Sequence, residues 1–135
     1  MSEPTSGAKL SFGNIAFDCR DPVGLAGFYA GLLGGEIDAD TEGDWVSLHW
    51  DGPDLAFQHA PDHEPPQWHG GGQQAHIDFM VADVRGAHTR ILELGGRALD
   101  PTTDPRPGHE GGFRIYADPA GHPFCLCRPS PDAWR

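Results

Sequence analysis

Positive charge is scarce in this chain. Of 135 residues nine are Lys or Arg against 20 Asp and Glu, the formal net charge is −11, and Lys9 is the single lysine. Nucleic-acid binding requires a basic stripe to neutralise phosphates, and anionic membranes recruit polybasic segments, so neither partner is expected. Long apolar runs are missing too. The opening stretch MSEPTSGAKLSF contains none, which predicts neither a signal peptide nor a spanning helix. Cysteine is sparse: Cys19, Cys125 and Cys127 cannot supply a disulfide framework. Cys125 and Cys127 lie two apart on a predicted strand, near the upper Cα separation for bridging. Free thiols of this kind point to a reducing, cytoplasmic setting.

What is present suffices for a core. Apolar residues make up 38% of the chain, and 135 residues is the length of one domain that buries roughly two-thirds of its unfolded surface. The strongest signal is internal repetition. Residues 14–35, NIAFDCRDPVGLAGFYAGLLGG, overlay 76–96, HIDFMVADVRGAHTRILELGG. Asn14 falls on His76, Ile15 on Ile77, Phe17 on Phe79, Asp21 on Asp83 and Gly24 on Gly86, all 62 positions apart. Further on, 46–58 lies over 113–125, with Asp51 on Asp118, Phe57 on Phe124 and Gln58 on Cys125. Repetition at this spacing indicates two copies of one supersecondary unit.

Each copy opens with period-two alternation, Ile15, Phe17 and Cys19 against Asn14, Ala16 and Asp18, then Ile77, Phe79 and Val81 against His76, Asp78 and Met80. That pattern predicts a strand with one buried face. A helix follows in each. Asp21 caps the first, with Pro22 at its first position and Leu25, Phe28, Tyr29 and Leu32 along its stripe; Gly34-Gly35 ends it. Asp83 caps the second, with Val84, Ala87, Ile91 and Leu94 as the stripe and Gly95-Gly96 as the stop. Strands are predicted at 45–50, 55–60, 112–117 and 123–127, with short ones near 36–38 and 97–99. The result is an α+β chain of two tandem βαβββ modules: module one over 12–60, a Pro/Gly-rich linker over 61–74 and module two over 75–129, together a single domain, 12–129. A second loop, 100–112, lengthens module two; loops of this size in a compact domain are often functional.

These residues resemble the vicinal oxygen chelate superfamily, which holds glyoxalase I, bleomycin-resistance proteins and extradiol dioxygenases. The resemblance rests on DP-x-x-LA-x-FY-x-x-LLGG (21–35), the H-I-D opening of the second copy (76–78) and D-P-A-G-H-P-F (118–124), in that order on a duplicated frame. It is closest to a glyoxalase-like subgroup with a Trp in the linker, here Trp68. The resemblance implies that the two modules form a cupped, barrel-like mixed sheet around a cavity. It also implies a homodimer, in which modules pair within or between chains. Metal-dependent relatives place ligands on the first and last strands of each module, and those positions carried onto this chain are Asn14, Gln58, His76 and Cys125.

That set offers one imidazole, two amides and a thiol, with no carboxylate. Glyoxalase-type sites use Glu on the closing strands, and dioxygenases need two His and a carboxylate. The expected function is therefore binding of a small organic molecule in the inter-module cavity by Asn14, Gln58, His76, Trp68 and Cys125, without a full metal site. The alternative is a metal-dependent lyase, isomerase or dioxygenase in which His76, Gln58 and Cys125 hold Zn, Ni or Fe. A third reading gives acid–base chemistry to His76 and Asp78, two residues apart on one face and roughly 7 Å apart along the strand. Cys125 as a nucleophile would need a base beside it, with His76 the symmetry-related candidate. The linker glycines 70–72 do not join a strand to a helix, so they give no nucleotide fingerprint.

Overall fold

The computed structural model describes residues 8–67, 75–107 and 113–128. The alternation at the head of each copy becomes a strand. In β1 (Ile15–Cys19) the residues Ile15, Phe17 and Cys19 turn inward while Ala16 and Asp18 stay exposed. In β5 (Ile77–Met80) Ile77 and Phe79 turn inward and Asp78 and Met80 outward. Both helices start as the sequence predicts. The Asp21 carboxylate accepts from the Gly24 N–H at 3.0 Å to open α1 (Pro22–Leu33), and Asp83 does the same for Gly86 at 3.0 Å to open α2 (Val84–Glu93). Glycine at 35 is required: φ is +98°, and a Cβ there would run into the His49 carbonyl.

The remaining strands are β2 (Glu36–Ala39), β3 (Trp45–His49), β4 (Leu55–His59), β6 (Arg97–Asp100), β7 (Phe113–Ala117) and β8 (Pro123–Cys127). Trp50 falls outside β3 because its indole N–H turns back to the Pro53 carbonyl, 2.6 Å away, within the β3–β4 turn. The Gly112 end of the predicted 112–117 strand lies outside the described residues. Two four-stranded sheets result, β1-β4-β3-β2 and β5-β8-β7-β6, each with its first strand parallel to its last and the others antiparallel. Among the described residues the two sheets do not close into a barrel.

One core runs between the modules. Phe17, Tyr29 and Phe57 stack with centroids 5.7–5.8 Å apart. Phe28 and Tyr29 of α1 then reach Phe124 of β8 edge-on at 6.0 and 6.2 Å, so α1 packs against both sheets. The Tyr29 hydroxyl donates to the buried Asp118 carboxylate at 2.7 Å, joining α1 to the β7–β8 turn.

Module two carries a buried polar layer that the sequence did not reveal. His88 on α2, Arg114 and Tyr116 on β7 are all buried. His88 Nε2 lies 3.0 Å from the Asp104 carboxylate and Nδ1 lies 2.8 Å from the Tyr116 hydroxyl. Arg114 Nε donates to that hydroxyl at 3.2 Å, and its terminal nitrogen donates to the carbonyls of Pro101 and Thr103. The layer thereby straps residues 101–104, the start of the inserted loop, onto the back of the second sheet.

Candidate functional site

The face of the second sheet turned away from α2 gathers three chemically active side chains. β5 and β8 are parallel neighbours, and their register sets Asp78 opposite Cys125. His76 precedes β5 and points to the same side as Asp78 by strand alternation. One donor atom from each of His76, Asp78 and Cys125 lies within 4.8 Å of the others. His76 Nε2 is 3.2 Å from Asp78 Oδ1, and both side chains are about half exposed, at 45% and 55%. The roughly 7 Å step along the strand is thus bridged by the side chains themselves.

Cys125 is buried beneath this pair. Burial, and after it the hydrogen bond to Asp78 and that carboxylate's charge, pushes its thiol up to about 12. The thiol therefore keeps its proton at neutral pH and donates it to Asp78, which removes the basis for Cys125 as a nucleophile. Cys127 is shifted in the same direction by burial and then by Asp78.

The other expected residues lie apart from this cluster. Asn14 and Gln58 are exposed on the corresponding face of the first sheet, and among the described residues neither side chain makes a hydrogen bond. Trp68 lies outside the described residues. The ladders also re-pair the repeat. Ala16 and Asp78 are equivalent points on the first strands, and their partners on the last strands are Ala56 and Cys125. The counterpart of Gln58 is accordingly Cys127, not Cys125. The sequence overlay is one residue out on β3 and β7 and two out on β4 and β8, because the β7–β8 connection is one residue longer than the β3–β4 connection while both keep an Asp and a Phe nearby. Asp78 was visible in sequence as a neighbour of His76. Its place opposite Cys125 depends on the parallel register of β5 and β8, which no local spacing encodes.

A family model described as the glyoxalase-like domain matches residues 14–127. The chain belongs to the glyoxalase-like domain family. Solved structures with this fold include the fosfomycin resistance protein FosX from Listeria monocytogenes, 17% identical, covering 90% of this chain and 93% of that one with a TM-score of 0.67. A glyoxalase-related enzyme from Fulvimarina pelagi is 19% identical over 90% of this chain and 89% of that one, with a TM-score of 0.64. The hypothetical protein SA1046 from S. aureus is 15% identical over 90% and 95%, with a TM-score of 0.66. At these identities the likeness is one of fold, and fold alone does not transfer activity. No curated protein matches the sequence.

The donor set of this glyoxalase-like domain can be tested against the metals its superfamily implies. An imidazole, a carboxylate and a thiol converging from one side suit Zn²⁺ in a tetrahedral arrangement with one position left open. They do not suit the two-His, one-carboxylate iron site of oxygenases, because the cluster contains a single imidazole. A thiol that holds its proton to about 12 would have to release it to the ion, which makes any such binding strongly pH-dependent.

Proposed function

We propose that this glyoxalase-like domain binds a small organic molecule over the His76–Asp78–Cys125 cluster. The observation that supports this is the convergence of three donor atoms within 4.8 Å on an open sheet face. The His76–Asp78 pair, 3.2 Å apart, can orient a polar group of the ligand or exchange a proton with it, since an imidazole held by a carboxylate can both donate and accept. Met80 and Phe113, 47% and 62% exposed, flank the polar cluster on the same sheet. An apolar or aromatic body carrying one polar group fits such a surface. Sequestration of a toxic or antibiotic compound is the role we assign, in a reducing cytoplasm that keeps the three thiols free.

A second reading is favoured by the same distances. His76, Asp78 and Cys125 would hold a zinc-class ion, with Gln58 on the other sheet as the counterpart of Cys127, and the ion would supply Lewis acidity to a ligand in the open position. The two readings separate experimentally. In protein purified without a metal-affinity column, the metal-free reading expects far less than one equivalent of metal by mass spectrometry. It also expects thermal stabilisation by a member of a panel of small aromatic compounds, lost in His76→Ala. Stoichiometric zinc that disappears in His76→Ala would instead establish the second reading.

We further propose that the working cavity is completed by a second copy. Trp45 on β3 is exposed at 37% on the open face of the first sheet, as Met80 and Phe113 are on the second. Pairing two chains would cover these faces and bring an Asn14–Gln58 face opposite a His76 face. Sedimentation equilibrium is expected to give the mass of two chains, and Trp45→Glu to return it to that of one. A parent protein that sediments as a single chain at micromolar concentration overturns the dimer.

A further inference from the structure

A crevice of about 680 Å³ opens between the modules, away from the His76 face. Its walls come from the start of α1, the linker at His63, the α2–β6 corner and the β7–β8 turn. Arg20 enters it from one module and Arg97 from the other. In a chain with more than two acids for every base, neither guanidinium has a carboxylate partner among the described residues. Arg20 Nε donates to the His63 carbonyl at 2.9 Å, which fixes its fork and leaves its terminal N–H groups available. The Arg97 side chain, on a residue whose backbone is paired with Ala117 in the β6–β7 ladder, makes no hydrogen bond or ion pair among the described residues.

The acids bordering the crevice are already engaged. Asp118 accepts from Tyr29, from the His122 ring at 2.9 Å and from the backbone N–H groups of Ala120 and His122. Asp21 caps α1 through Gly24. Leu25, Leu94 and Pro119 add apolar wall. Two guanidinium groups and an apolar wall lining one crevice suit a planar or tetrahedral oxyanion on a compact organic body, and the volume lies in the range of small-molecule sites. We propose that this inter-module crevice binds a small organic oxyanion, a carboxylate or a phosphate monoester. The site is independent of the ligand assigned to His76.

The test is a nuclear magnetic resonance titration of ¹⁵N-labelled full chain with two probes, benzoate and phenyl phosphate. The expected result is saturable shifts at the amides of Gly24, Gly95 and Gly121 with at least one probe, and the tighter probe identifies which oxyanion the crevice takes. Arg97→Gln should bind about tenfold more weakly, the scale of one charge-assisted hydrogen bond. Because Arg97 supports no other residue, its loss leaves the fold intact, and unchanged amide shifts outside the crevice verify this. Added salt should weaken binding, since both contacts are ionic. His76→Ala should bind the probe as the parent does. Shifts that stay linear for both probes, or an Arg97→Gln affinity equal to the parent's, would overturn the proposal.

Discussion

Replacing Asp118 by alanine is expected to destabilise the protein by about 3–5 kcal/mol, the cost of opening a buried charged network. Its side chain is completely inaccessible. Four donors converge on it: the Tyr29 hydroxyl at 2.7 Å, the His122 ring at 2.9 Å, and the N–H groups of Ala120 and His122 at 2.9 and 3.0 Å. Removing the carboxylate leaves every one of them without an acceptor and severs the polar tie between α1 and the second sheet. Asp118→Asn keeps the shape and one acceptor oxygen, and should fall between parent and alanine in urea unfolding. A loss below about 1 kcal/mol for Asp118→Ala, the range of an ordinary surface contact, would show that the network is not what joins the modules.

The same network sets an alkaline limit. Tyr29 is buried, and burial, then the Asp118 charge, then the hydrogen bond it donates, raise its phenol well above its ordinary value of 10.0. A group whose folded value is raised contributes stability that is complete below the unfolded value and is lost as pH climbs past it. The protein should therefore weaken above about pH 10, with Tyr29→Phe flattening that loss. An unfolding profile that is level through this window in the parent would contradict the assignment.

The second large effect concerns the polar layer of module two, and the ladders say what it replaces. Phe17 and Phe79 are equivalent points; their partners are Phe57 and Leu126, whose own partners are Val46 and Arg114. By the same steps Leu48 corresponds to Tyr116, and Ala26 on α1 to His88 on α2. One copy fills this layer with Ala, Val and Leu, and the other fills it with His, Arg and Tyr. Arg114→Met alone should cost about 2–4 kcal/mol, because the Tyr116 hydroxyl and the loop carbonyls lose a charged donor. Combining it with His88→Leu and Tyr116→Phe removes all three buried polar side chains at similar volume, and the acceptors left behind, the Asp104 carboxylate and the Pro101 and Thr103 carbonyls, belong to exposed residues that water can reach. The triple variant is expected to lie within about 1–2 kcal/mol of the parent, since a complete apolar replacement of a buried polar set is often near neutral. Simple addition of the three single losses in guanidinium unfolding would show the residues act separately and not as one layer.

Much of the architecture was open to sequence reading because its determinants are local. The Asp21 and Asp83 caps, the period-two faces of β1 and β5 and the paired glycines after each helix act within a few residues, and the repeat shows them twice. The inward side of the α1 stripe was legible for the same reason. His88 was not, because a histidine on an otherwise apolar helix face becomes intelligible when Tyr116 and Asp104, 28 and 16 residues away, are in place.

The candidate site divides along the same line. The H-I-D opening fixed His76 and Asp78 on one side of a strand, since alternation leaves no other outcome. Whether Gln58 or Ala56 answers Cys125 was decided by ladder register, and on the last strands a two-residue slip keeps each side chain's face while changing its partner. By itself the sequence determined the two βαβββ modules and the faces their residues occupy, because backbone geometry and caps operate at short range. Tertiary structure alone decided that Asp78 meets Cys125, that Tyr29 reaches Asp118, and that Arg20 and Arg97 share a crevice. Each of those meetings joins segments far apart in the chain, and their alignment is set by packing of the whole core.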